Sequence, residues 1–158
     1  MSNNRPRIAF IQSCWHEDIV DQARLGFADQ LEALGVNADV DYFRVPGAFE
    51  IPLKCKQLLG HGDYDLAVGA GFVVDGGIYR HEFVAQAVVS ALMQIQLELG
   101  LPVLSVVLTP KETWQDAHHA FFFEHLLTKG REAAEVAASL LKSPVSSRQS
   151  PELRATSK

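Results

Sequence analysis

Apolar residues gather in four short runs, and the stretches between them carry helical periodicity. Residues 7–14, 36–45, 66–74 and 102–108 are rich in Val, Ile, Leu, Phe, Ala and Tyr, and runs of that length and composition mark buried strands. In the third run both faces are apolar, the pattern of a parallel strand covered on two sides. Behind Glu17-Asp18, acids suited to a first helical turn, Ile19, Ala23, Phe27, Leu31 and Leu34 recur at helical spacing, and Gly35 is a natural stop. A shorter helix is predicted after Pro46-Gly47, ending near Gly60-His61-Gly62. Another spans Glu82–Leu99. A fourth begins at Thr109-Pro110-Lys111-Glu112 and runs to about Lys142, with a break near Thr128-Lys129-Gly130. Alternation of strand and helix predicts an α/β fold, a doubly wound four-stranded parallel sheet with right-handed crossovers.

The third helix has an unusual pattern. Glu82, Gln86, Ser90, Gln94 and Glu98 form one narrow polar stripe, and nearly every other position is apolar. A surface helix of a monomer needs one apolar face. This one has more than the sheet can cover, so it is expected to pack against a second subunit, against the alternative of a central helix buried within the monomer. Residues 143–158 hold Ser, Pro, Arg and Thr with few apolar residues and are expected to form a disordered tail after a single domain of residues 1–142.

Composition narrows the function. A chain of 158 residues with 47% hydrophobic content suffices for one domain with a sizeable core. The formal net charge of -5 argues against nucleic acid and anionic membranes as partners. No run reaches spanning length and the N-terminus lacks a hydrophobic signal segment, so a cytoplasmic location is expected. Cys14 and Cys55, far apart in sequence, read as reduced packing residues.

Two glycine-bearing loops direct attention to the strand ends: residues 45–52 (Val-Pro-Gly-Ala-Phe-Glu-Ile-Pro) and 73–81 (Val-Val-Asp-Gly-Gly-Ile-Tyr-Arg-His). Each follows a strand-type run and leads into a helix, where open α/β sheets bind ligands and where helix N-termini favour anions. Converging with them are Trp15-His16 and the segment after Leu108. Trp15 offers a stacking surface for a planar heterocycle, against the alternative of core packing. Glu50 reads either as an acceptor for hydroxyls or as a helix-start acid. Arg80, His81 and His119 are candidate anion contacts. His118, His119 and His125 resemble a metal cluster superficially, but adjacent helical positions diverge and no acid or thiol pair completes a set. No metal is expected.

Together these segments, followed by residues 102–109 (Pro-Val-Leu-Ser-Val-Val-Leu-Thr), resemble the lumazine synthases over about residues 6–142. The resemblance implies a flavodoxin-like three-layer α/β/α sandwich assembled into pentamers, with active sites between subunits. It implies condensation of 5-amino-6-(D-ribitylamino)uracil with 3,4-dihydroxy-2-butanone 4-phosphate, with no metal or organic cofactor. By position, Trp15 matches the aromatic that stacks on the pyrimidine, Ala48, Phe49 and Glu50 the segment holding the ribityl chain and pyrimidine, and Phe72, Val73 and Val74 a backbone that contacts the pyrimidine. Gly77 and Ile78 match the phosphate site, Ser105 a contact lent by the adjoining subunit, and His119 a position where many members carry Arg.

The chain departs from the common pattern Gly-Ala-Thr-Thr-His in the third loop. Arg80 stands where that His is proposed to transfer protons, and His81 follows it. With a pKa above about 12, Arg is a poor general base near neutrality, but it donates hydrogen bonds to developing charge. The expected catalytic group is therefore Arg80, with His81 as rival. Trp15 together with Gly-Gly-Ile-Tyr-Arg-His resembles a divergent, catalytic branch that forms decamers of two pentamers. A non-catalytic flavin or lumazine binder is the competing reading. An electron carrier or phospho-receiver fits poorly, because Gln12-Ser13-Cys14-Trp15 has neither a hydroxyl-rich phosphate loop nor an acidic pair.

Overall fold

The computed structural model describes residues 5–75 and 80–148. Strands β1 (Arg7–Ser13), β2 (Asp39–Val45), β3 (Leu66–Phe72) and β4 (Val103–Leu108) form one parallel sheet in the order β2-β1-β3-β4. Four helices flank it: α1 (Glu17–Ala33), α2 (Ile51–Gly60), α3 (His81–Leu99) and α4 (His119–Arg148). Alternation along β1 explains the layering. Ile8 and Phe10 enter a core with Val20, Phe27, Leu126 and Ala134 from α1 and α4. Ala9 and Ile11 enter a second core with Ile51, Cys55, Val88 and Leu92 from α2 and α3. This is a three-layer α/β/α sandwich, and no helix among the described residues is long and apolar enough to cross a membrane.

Gly35 ends α1 as its sequence position predicts. Its φ of 68° is left-handed, its N–H donates to Glu32, and the Val36 N–H donates to the Leu31 carbonyl, so the last free carbonyls are satisfied by a reversal that glycine makes without strain. The second strand starts at Asp39 rather than Val36. Val36 and Ala38 instead pack against the α1/α4 core on the way in.

Two expectations for the last helix need correction. It does not start at residues 109–112: a short 3-10 turn at Asp116–His118 precedes α4, which begins at His119. Nor does it break at Gly130. The helix is continuous there and extends to Arg148, past the Lys142 limit read from the sequence. Gly130 is a point of close approach, since a β-carbon on it would collide with the Ala23 carbonyl, and one on Gly26 would collide with the Leu127 carbonyl. Glycine at both positions brings α1 and α4 nearly into backbone contact.

Candidate functional site

In this strand order the chain leaves β1 toward β2 on one side and returns to β3 on the other. The connections that leave the carboxyl ends of β1 and β3 lead to α1 and α3 on opposite faces of the sheet, which opens a crevice between them. A cleft of about 170 Å³ lies there, lined by Trp15, His16, Gly47, Ala48, Phe49, Phe72, Val73, Val74 and Val84. Three strand-end segments thus converge as their sequence order predicts.

The first wall begins with an unusual backbone. His16, which starts α1, has φ 53° and ψ 48°, a left-handed conformation that costs a non-glycine residue about 1–2 kcal/mol. Its carbonyl accepts from the Ile19 and Val20 N–H groups, and its ring packs on Trp114 and Phe72 at centroid distances of 5.3 and 5.9 Å. Immediately before it, Trp15 is 68% exposed, as a stacking platform requires and a core residue does not. The second wall is the turn Ala48–Glu50. Glu50 folds back so that its Oε1 accepts from the Gly47 N–H at 2.9 Å, and Trp15 lies beside the same glycine. Glu50 is exposed, with its other carboxylate oxygen not engaged by that bond, and Phe49 is 66% exposed.

Phe72 sits differently. Its side chain is buried among Trp114, Phe122 and His16, and the Val73 N–H that follows it donates to the Leu108 carbonyl at 2.9 Å. Trp114 and His16 are the residues sequence reasoning undervalued. Trp114 lay within a stretch read as helix, whereas it precedes the 3-10 turn at Asp116–His118, outside any helix, and its ring packs on Phe72.

None of the charged candidates Arg80, His81 and His119 is among the residues lining this cleft. Arg80 is exposed at the start of α3, in an extended conformation, with its guanidinium 5.7 Å from the Phe83 ring. His81 is buried; its Nε2 lies 3.1 Å from the Pro110 carbonyl oxygen, which accepts the Nε2 proton. His119 opens α4, and its Nε2 hydrogen bonds to Asp18 Oδ2 at 2.5 Å; that contact holds the Asp18 carboxyl below its usual range. Ser105 is exposed in the middle of edge strand β4, opposite Gly69, and its Oγ accepts from the Val107 N–H. Gly77 and Ile78 lie outside the described residues.

On α3, Ala85, Val88, Leu92 and Ile95 face the sheet, whereas Phe83, Val89, Met93 and Leu97 are exposed, Leu97 at 74%. The excess of apolar positions seen in the sequence is thus an uncovered face. Cys55 is buried in the α2/α3 core, which pushes its thiol up to about 12 and makes it unreactive near neutrality.

Comparison with known proteins agrees with this geometry. The family model described as 6,7-dimethyl-8-ribityllumazine synthase matches residues 5–144. The chain is 56% identical over 142 residues to 6,7-dimethyl-8-ribityllumazine synthase 2 of Pseudomonas syringae pv. tomato, covering 89% of this chain and 84% of that one. It is 53% identical over 139 residues to the synthase of Rhodococcus erythropolis (87% and 90% covered). A third relative, synthase 2 of Bradyrhizobium diazoefficiens, is 49% identical over 136 residues (85% and 82% covered). With the cleft at the β1/β3 switch point and a match over nearly its whole described length, the chain belongs to the 6,7-dimethyl-8-ribityllumazine synthase family.

Proposed function

We propose that this chain condenses 5-amino-6-(D-ribitylamino)uracil with 3,4-dihydroxy-2-butanone 4-phosphate to give 6,7-dimethyl-8-ribityllumazine. The observation that carries the reading is the cleft at the sheet's switch point, where exposed Trp15 stands beside Gly47 and Phe49, on a chain more than half identical to a synthase. In the reaction, the 5-amino group attacks the ketone and loses water to form a Schiff base. Phosphate then departs, the ribityl-bearing nitrogen closes the ring, and a second water leaves. Every step is addition, elimination or proton transfer, so the protein's main contribution is to hold two reactants in register, an effect worth roughly 7–11 kcal/mol.

Trp15 stacks on the pyrimidine, and the backbones of Phe72, Val73 and Val74 with the Ala48–Glu50 turn fix its polar edge and ribityl chain. Gly77, Ile78 and Arg80 receive the phosphate ester, with Arg80 stabilising charge as phosphate leaves. The cleft of one subunit, about 170 Å³, is smaller than the roughly 300–1,000 Å³ of a typical ligand site. A neighbouring subunit supplies the missing wall, including Ser105 and His119, neither of which lines its own chain's cleft. The exposed apolar face of α3 is the surface for that assembly, into pentamers and pairs of pentamers. The reading places the enzyme in the cytoplasm and requires neither nucleic acid nor membrane.

Purified protein mixed with both substrates should produce lumazine fluorescence; an assembled protein that binds ribitylated pyrimidine without turnover would refute the catalytic reading. That outcome would favour a non-catalytic binder, a possibility motivated by Arg80 at the proton-transfer position and by the engagement of His119 with Asp18. Within the synthase reading, Arg80→Ala should lower kcat by about a hundred-fold, the scale of one lost charge-stabilising donor.

A further inference from the structure

Among the described residues that line the cleft, His16 alone has a side chain that changes charge near neutrality; the others are Trp, Gly, Ala, Phe and Val. It is half-buried, and two aromatic rings fix the place of its imidazole. Trp114 lies at 5.3 Å, tilted by 60°, and Phe72 at 5.9 Å, edge-on at 89°. No hydrogen bond among the described residues occupies either ring nitrogen. The backbone is a second observation. His16 is the one non-glycine with positive φ among the described residues, and such outliers gather at functional sites, where the surroundings enforce them. Here the turn leaves Trp15 beside Gly47 and sends His16 to Phe72 and Trp114. Two consecutive side chains thus meet one cleft from different sides.

The condensation needs a group of this kind. The 5-amino lone pair forms the C–N bond while the carbonyl π pair moves to oxygen. Both N–H protons must then reach that oxygen, which leaves as water with its bonding pair as the C=N bond closes. Arg80 stays charged near neutrality and accepts neither proton. We infer that His16 is the proton carrier of this step: a free ring nitrogen takes each proton from the attacking nitrogen and delivers it to the departing oxygen, so the imidazole ends neutral as it began. The inference rests on the reading of this cleft as the pyrimidine site, with the heterocycle on Trp15. The ionisable groups around His16 have other partners. Glu17 pairs with Arg44 of β2, Asp18 with His119 of α4, and the Asp75 carboxylate lies 3.7 Å from the His81 ring. His118 stands against Trp114, at 6.1 Å between ring centroids.

Steady-state kinetics on the assembled protein, run from acid to alkaline pH, provide the test. Wild-type kcat should decline on the acid side with the slope of one proton, because a charged imidazole accepts none. His16→Asn retains a residue type that adopts the left-handed turn readily and does not titrate. It should lower kcat at neutral pH by about a hundred-fold or more and abolish the acid limb, while KM for each substrate moves less than about three-fold. Persistence of the limb in the variant, at whatever rate, would overturn the assignment, since another group would then be titrating. A wild-type profile without an acid limb would overturn it too, as would a change confined to KM for the pyrimidine, which would make His16 a binding contact. If His16→Asn does not assemble, His16→Gly, which accepts positive φ without strain, gives the same readout. Binding of ribitylated pyrimidine to the wild type without turnover would instead defeat the parent reading, whereas turnover with the limb intact in the variant defeats only the role of His16.

Discussion

Gly130 of α4 faces the Ala23 carbonyl of α1 with no room for a β-carbon between them. Helix propensity favours alanine over glycine by about 1 kcal/mol, but overpacking of a closed contact costs about 1–3 kcal/mol. The contact should win. Gly130→Ala is expected to lower Tm, whereas Gly60→Ala, at the end of α2 with open space around it, should raise stability by about 0.5–1 kcal/mol. Thermal unfolding of the two variants checks the pair, and stabilisation by Gly130→Ala would contradict the close crossing of α1 and α4.

Trp15 is held outward by the left-handed turn at His16 rather than by packing of its own ring. Trp15→Ala should therefore leave folding nearly unchanged and raise KM for the pyrimidine roughly ten- to hundred-fold, in line with about 1–3 kcal/mol per stacked base. Titration of the variant with a ribitylated pyrimidine, beside a melting curve, measures both effects.

Leu97 and Met93 project from α3 into open space. If that face joins subunits, Leu97→Arg or Met93→Glu should dissociate the assembly, because each would bury a charge against an apolar partner. Light scattering reads the mass directly. Activity should fall with the mass if the cleft needs a neighbour's wall, and an unchanged mass would exclude this face as the interface.

Tyr64 and Cys55 set a limit at alkaline pH. Burial raises Tyr64 from 10.0 to about 12, helped by the hydrogen bond its hydroxyl donates to Asp41 at 2.7 Å, and burial alone raises Cys55 from 9.0 to about 12. Both groups hold their protons more tightly in the folded chain. Their contribution is thus complete below the unfolded values and is lost as pH climbs from about 9 to about 12. Tm measured across that range should decline, and Tyr64→Phe should flatten the portion above pH 10. An unaltered profile in the variant would show that Tyr64 does not titrate against folding.

Much of this protein was legible in the order of its residues. Apolar runs and helical periodicity gave the four strands and four helices, because side-chain period follows directly from backbone geometry. The two glycine-bearing loops pointed to the strand ends, and the surplus of apolar positions on residues 82–99 corresponds to an exposed face on α3. The role of Gly130 was not legible. A glycine read along one chain signals a break, and only the crossing of α1 shows that it is a contact. The start of α4 was misplaced for a similar reason: the segment after β4 stays non-helical as far as Gln115, and in it Pro110 meets His81 and Trp114 meets Phe72. Periodicity reports what a residue does for its own element. Which distant groups a side chain meets, and hence that Trp15 is free while Phe72 and His81 are enclosed, is decided by packing between elements far apart in the chain.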